Sequence, residues 1–201
     1  TMKFIKNTIL FFWLFVCYEA ATSTAYAGQK NNDLLKTLSV KKHINIVYGD
    51  KDKQYQTLDA YLVKSDKPAP VLIEIHGGSW RNGAKSGGKR RGDKFFNPNS
   101  IYMQALKSGI SVVSINYRLT PKWKSPSQME DAARAVQFVK SKAKEWHIDP
   151  LRVAAIGGSA GAHLAAWVAL HDDLSKPDSN DPVEKQSSRL TCVVNIGGPV
   201  D

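Results

Sequence analysis

Two stretches alternate between apolar and polar positions. Ile44, Ile46 and Tyr48 fall on one parity against Asn45 and Val47, and Leu58, Ala60 and Leu62 alternate with Asp59 and Tyr61, the period of two expected of half-buried strands. The polar segment "GDKDKQ" between them is turn-prone, so the pair predicts an antiparallel hairpin. From residue 70 the pattern changes. "PVLIEIHG" (70–77), "GISVVSINY" (109–117), "RVAAIGG" (152–158) and "LTCVVNIGG" (190–198) are short apolar, β-branched runs, as in parallel strands covered on both faces. After Pro126, Met129, Ala132, Val136, Val139, Ala143 and Trp146 recur at steps of three and four, which lays one apolar stripe along a long helix. Ser125 or Ser127 is placed to cap it, with Glu130 and Asp131 in its first turn near the positive end of the helix dipole. "HIDP" (147–150) ends it, because a residue before proline avoids the α region. A leading hairpin followed by repeated strand–helix units predicts an α/β fold: a mixed, mostly parallel sheet with helices on both faces. In such sheets ligands sit beyond the carboxyl ends of the strands.

The first 27 residues stand apart. Lys3 and Lys6 precede the apolar run "ILFFWLFVC" (9–17), and "AYA" (25–27) follows, the three parts of an export signal cleaved before Gly28. The apolar run is shorter than the ~20 residues a membrane span needs. No stable membrane anchor is expected after cleavage, and the protein is expected to be exported to the periplasm or the cell exterior. Residues 28–41 are polar and predict a flexible leader. Residues 42–201 are expected to form one domain, with no internal repeat or Pro-rich linker to suggest a second. The 28 basic and 18 acidic residues give a net charge of +10, which loss of the signal lowers by one. Part of the excess lies in "KSGGKRRGDK" (85–94), read as a solvated basic loop, with weak attraction to anionic polymers as the alternative. A nucleic-acid groove would add exposed aromatics on a known binding fold, so no nucleic-acid partner is expected. Cys17 leaves with the signal, so Cys192 has no intrachain disulfide partner, and its apolar surroundings in sequence predict a buried thiol.

The candidate chemistry falls at the carboxyl ends of the apolar runs. "GGSAG" (157–161) fits GxSxG between a strand and a helix, the context that pattern requires. A serine on so sharp a turn projects its hydroxyl outward, and strand and helix can approach only if the flanking residues are as small as Gly157 and Gly161. Ser159 is therefore the candidate nucleophile. Ala160 begins the helix with its N–H free to bind an oxyanion; a plain glycine-rich turn is the bland alternative. "HGGSW" (76–80) also follows an apolar run, making Gly77 and Gly78 candidates for the other half of the oxyanion hole. His76 reads as a structural imidazole bonded to its own loop, and Trp80 either walls a substrate pocket or packs that loop. Arg118 in "NYRL" is expected to pair with an acid of the long helix, Asp131 first. His163, one turn after Ser159, should lie beside the helix rather than over the serine. His171 with Asp172, Asp173, Asp178 and Asp181 lacks regular ligand spacing, so no metal is expected, and no cofactor is called for.

Together these stretches resemble the α/β-hydrolase superfamily, within its bacterial esterase and lipase branch of hormone-sensitive-lipase-like and feruloyl-esterase-like enzymes. The likeness runs from about Leu58 to Asp201, through "LDAYLV", "HGGSWRNG", "SVVSINYRL", the segment 127–170 and "VVNIGGPVD". It implies a secreted serine hydrolase in which Ser159 attacks a small-molecule carboxylic ester while Gly77, Gly78 and Ala160 hold the oxyanion. Ser79 stands where many relatives carry a third glycine, which leaves the donor pair open. In this superfamily the acid and histidine of the triad follow the nucleophile, on loops after two later strands. After Ser159 the chain offers only His163 and His171, and Asp201 follows a strand end where relatives often carry a non-catalytic aspartate. The expectation is a C-terminally truncated α/β-hydrolase domain that lacks its last strands and the rest of its triad and has little or no activity. Two alternatives stay open: a non-catalytic or degenerate α/β-hydrolase-like binding module, and an amidase or peptidase on the same scaffold. Acyl and alcohol specificity and oligomeric state are not legible.

Overall fold

The computed structural model describes residues 33–87 and 96–198. Six strands, β1 (Lys41–Val47), β2 (Thr57–Leu62), β3 (Ala69–Ile75), β4 (Ser111–Ile115), β5 (Ile148–Gly158) and β6 (Cys192–Ile196), form one sheet in the order β1-β2-β4-β3-β5-β6. The hairpin β1–β2 and the pair β2–β4 are antiparallel, whereas β4, β3, β5 and β6 run parallel. The apolar runs therefore become strands where the sequence places them, in the mixed sheet it predicts. Helices among the described residues include α1 (Ile101–Lys107), α2 (Ser127–Ser141), α3 (Ala143–Trp146) and α4 (Ala160–Leu170).

Strand parity separates two cores. Leu58, Ala60 and Leu62 of β2, Val71, Ile73 and Ile75 of β3, and Val113 and Ile115 of β4 pack with α2 and α4. The opposite parity, Tyr61 and Val112, packs with Met103 and Leu106 of α1. Leu35 joins this second core from a helical turn at 33–37. Residues 33–41 of the expected flexible leader are thus folded, because Leu35 reaches an apolar face; residues 28–32 lie outside the described residues.

Three local expectations are corrected. All six residues of β2 are buried, because its polar face is covered: Asp59 takes the Lys85 ammonium at 2.7 Å and the Ser86 hydroxyl at 3.0 Å. Lys85 is accordingly an inward-facing partner rather than part of a solvated loop, and residues 88–94 of that loop lie outside the described residues. In β1 the alternation breaks at a register shift between His43 and Ile46. Asn45 adopts φ 58° there, its N–H bonded to Asp59 Oδ1 at 2.9 Å, and Ile44 turns to solvent. Finally, Pro126 precedes α2 with no side-chain cap; the Ser125 hydroxyl faces the Met129 sulfur and Ser127 already lies inside the helix. The apolar stripe is otherwise as expected, with a break at Lys142 between α2 and α3 and His147 left-handed at the end.

Arg118 pairs with Asp131 as the sequence suggests. Its Nε lies 2.9 Å from each carboxylate oxygen, its Nη2 2.7 Å from Oδ1, and its backbone N–H donates to Oδ2 at 2.8 Å. Gln56 adds a bond to Oδ1 at 2.6 Å. Both members are buried. One anion thus joins the end of β4, the segment before β2 and helix α2. Replacing it, as in Asp131→Asn, leaves the buried guanidinium with the more exposed Glu130, 3.1 Å from its Nη2, as its counter-charge, and urea unfolding should show a loss of about 3 kcal/mol; a loss under about 1 kcal/mol would contradict this account.

On the α1 side, Glu74 of β3 is buried with the Ser114 hydroxyl donating to it. Burial pushes its carboxyl up to about 7, partly offset by that hydrogen bond. Because the folded state holds this proton more tightly than the unfolded chain, Glu74 destabilises the fold progressively as pH rises from about 4.5 to about 7. Glu74→Gln keeps an acceptor for Ser114 and removes the titration. Its stability relative to wild type should rise by a few kcal/mol between about pH 5 and pH 8 in chemical denaturation, and a pH-independent difference would refute the assignment.

Candidate active site

The carboxyl ends of β3 and β5 meet the first turn of α4. Ser159 lies between β5 and α4 with φ 53° and ψ −119°, a conformation that costs a non-glycine residue about 1–3 kcal/mol. Its side chain is exposed. The strain is held by close packing that only glycine permits. A Cβ at Gly161 would stand 1.9 Å from the carbonyl oxygen of Ile75, and one at Gly157 would stand 2.3 Å from the backbone of Gly161. The Ser159 N–H is tied to Ile196 O at 3.0 Å, so β6 fixes the same turn.

The second loop comes alongside. A Cβ at Gly77 would lie 2.6 Å from the carbonyl oxygen of Gly158 and 3.6 Å from the Ser159 Cβ, which places Gly77 against the serine turn. Gly78 has φ 122°, and its carbonyl accepts the N–H groups of Arg81 (2.9 Å) and Asn82 (3.1 Å). Among the described residues no acceptor pairs with the N–H of Gly78 or of Ala160. The arrangement can accept a developing negative charge next to a projecting hydroxyl, the chemistry of acyl transfer.

His76 is structural, as expected. Its Nδ1 lies 2.8 Å from Gly77 O and its ring stacks on Tyr117 at 4.3 Å, while burial holds its pKa down at about 4. Tyr117 donates its hydroxyl to His76 O at 2.9 Å. Trp80 is half-buried, its carbonyl accepts the Thr120 N–H at 2.8 Å and hydroxyl at 3.1 Å, and its ring meets that of His163 edge-on. It therefore packs the loop beside the site.

The Ser159 hydroxyl has no hydrogen-bond partner among the described residues. His163 lies against Trp80, and His171 packs at a tilt on Trp167, ring centroids 4.2 Å apart, with its Nδ1 near Asp172 O. Asp201 lies outside the described residues. The acids after α4 organise their loop: Asp173 accepts the N–H groups of Ser175 and Ser188, and Asp181 pairs with Arg134 at 2.6 Å. Cys192 is exposed on β6 rather than buried, because neighbouring residues of this strand alternate with one face open.

Sequence reading missed two supports. One is the Thr120 clamp on Trp80. The other is the region after β6, where the Gly198 N–H donates to Asn195 Oδ1 at 2.8 Å and a Cβ on Gly198 would meet that of Ala162 at 2.4 Å. The paired glycines in "NIGG" are the one local signal of that approach.

The family model BD-FAE matches residues 58–201. A probable isoprenylcysteine alpha-carbonyl methylesterase of Arabidopsis thaliana is 32% identical over 155 residues, 77% of this chain and 30% of that protein. The esterase LipQ of Mycobacterium tuberculosis is 35% identical over 116 residues, 57% of this chain and 23% of that protein. The solved acetyl ester-xyloside bifunctional hydrolase of Caldicellulosiruptor lactoaceticus is 33% identical with a TM-score of 0.58, over 68% of this chain and 46% of that one. The chain spans about a third or less of the length of these curated relatives.

Two nearby glycines differ in the space around them. Gly158 has no atom nearer than 3.9 Å to an added Cβ, so Gly158→Ala should change stability by under about 1 kcal/mol. Gly161→Ala should cost at least about 2 kcal/mol by forcing α4 away from β3. Thermal unfolding of the two variants checks this, and equal effects would contradict it.

Proposed function

The chain belongs to the BD-FAE family of α/β-hydrolases, and from that premise we propose that Ser159 is the nucleophile of a hydrolase acting on small-molecule carboxylic esters. The observation that carries the reading is the positive-φ Ser159 turn with Gly77 packed against it and, among the described residues, no acceptor for the Ala160 N–H. In this mechanism the serine oxygen attacks the ester carbonyl carbon and the carbonyl oxygen becomes an oxyanion. The N–H groups of Ala160 and of Gly77 or Gly78 receive it. A general base takes the serine proton and passes it to the departing alcohol; water then adds to the acyl-enzyme, releasing the acid and restoring the serine. Among the described residues no side chain is hydrogen-bonded to the Ser159 hydroxyl, so this reading leaves the base and its orienting carboxylate unassigned.

The same chemistry serves amides, and a panel of matched esters and amides separates an esterase from an amidase. A binding module that uses the basic stretch 85–94 would instead be indifferent to Ser159. The charge and the apolar run of residues 1–27, which lie outside the described residues, support export with cleavage before Gly28.

Short-chain p-nitrophenyl esters test the central assignment in the intact enzyme: Ser159→Ala should lower kcat by about 10⁴-fold or more, and unchanged turnover would remove it. N-terminal sequencing of the exported protein should begin at Gly28; retention of residues 1–27 would refute the signal.

A further inference from the structure

The loop that carries Gly77 and Gly78 leaves the end of β3, folds back on itself and returns to the sheet at Lys85 and Ser86. A Cβ at Gly83 would stand 2.4 Å from the Gly77 carbonyl oxygen and 2.3 Å from His76 Nδ1, and one at Gly78 would stand 2.1 Å from the Asn82 carbonyl oxygen. Backbone packed this closely transmits a displacement rather than absorbing it. The place of Gly77 and Gly78 therefore depends on where the chain beyond Gly83 is held.

Just past Gly83 the chain is bound to the sheet. The Lys85 N–H donates to Asn116 Oδ1 at 2.7 Å, and the Ser86 N–H donates to the Ser114 hydroxyl at 2.6 Å. The Lys85 ammonium donates to Asp59 Oδ1 and to Asn45 Oδ1, each at 2.7 Å, while the Ser86 hydroxyl reaches Asp59 Oδ2 at 3.0 Å. Ser86 holds φ 53° in this arrangement, and a strained backbone persists only where its surroundings over-determine it. Asn45, Asp59 and Ser114 belong to β1, β2 and β4, so the anchor is independent of β3, from which the loop departs. The side chains of Lys85 and Asp59 are 12% and 6% exposed. At that burial the loss of hydration offsets most of the attraction between the charges, and net stability is a poor account of the pair. What it adds is direction, since an ammonium fixed between acceptors on two adjacent strands defines where residue 85 sits.

We propose, resting on the reading of Gly77 and Gly78 as oxyanion donors, that Lys85 is a positioning residue: its ion pair with Asp59 fixes the far end of segment 77–83 and so the distance from those N–H groups to the Ser159 turn. Lys85 acts through the contact of Gly83 with Gly77 rather than on the ester. The carbonyl oxygen of a bound ester carries little charge, whereas the tetrahedral intermediate carries a full one. Donors set at the wrong distance therefore lower kcat more than they raise KM.

The test uses the intact enzyme with p-nitrophenyl acetate, its active sites counted by titration with a phosphonate ester so that kcat refers to folded, reactive protein. In Lys85→Met, kcat per active site should fall by about 10²-fold, the loss that a misplacement of about 1 Å brings, with KM within about three-fold of wild type. The amide resonances of Gly77 and Gly78 should move in ¹H–¹⁵N spectra while that of Ala160 stays in place. The double variant Asp59→Asn/Lys85→Met, which leaves no buried charge unpaired, should fold and show the same loss. A pair that serves stability alone would lower the melting temperature and the number of active sites, with kcat per site unchanged. Unchanged kcat per site, unmoved Gly77 and Gly78 resonances, or failure of both variants to fold each overturns the proposal. Because the resonances read no turnover, a failure here is distinguishable from a failure of the Ser159 assignment, which Ser159→Ala tests by itself.

Discussion

The contact on which the site depends is between two backbones. The first turn of α4 lies so close to the end of β3 that a single methyl group at Gly161 would sit 1.9 Å from the Ile75 carbonyl oxygen. Nothing in a side chain's chemistry is being used there; what matters is its absence. That approach lets β5 reverse into a helix within one residue, and the residue at the reversal, Ser159, takes up a conformation that an unconstrained chain would leave. The cost is met by the surrounding sheet, through the bond from the Ser159 N–H to β6 and the packing of Gly77 against Gly158.

The rest of the fold keeps those strand ends in place by burying charge in pairs. Asp131 collects Arg118, the Arg118 backbone and Gln56; Asp59 collects Lys85, Ser86 and the bulged Asn45. Each anion joins segments distant in sequence, and each is surrounded by donors that satisfy it, the condition under which a buried charge is tolerated. Glu74 is the exception. Among the described residues it has a hydroxyl for company rather than a cation, and burial raises its carboxyl to about 7.

The sheet and the serine turn were legible because their signals are local. Four apolar, β-branched runs became β3 to β6, the stripe from Met129 to Trp146 became α2 and α3, and GxSxG fell at the expected junction. Arg118 with Asp131 was legible too, since a guanidinium after a buried strand needs an acid nearby. What could not be read depends on partners far along the chain. Alternation in β2 suggested one wet face, but only the fold brings Lys85 and Ser86 over Asp59. Lys85 looked like part of a charge run for the same reason. The bulge at Asn45 answers a carboxylate on the neighbouring strand, and the Leu35 turn is ordered by a face that the polar residues around it do not announce.

Within the site, Gly77 lies against the Ser159 turn that Ala160 follows, while the rings of His163 and His171 contact those of Trp80 and Trp167. The most direct test of a serine exposed for covalent chemistry is to look for the covalent bond. The intact enzyme, mixed with an activated short-chain ester and quenched in acid, should carry one acyl group on the peptide containing Ser159 when mapped by mass spectrometry. Turnover with no acyl group on that peptide, or with the label on another residue, would contradict the account.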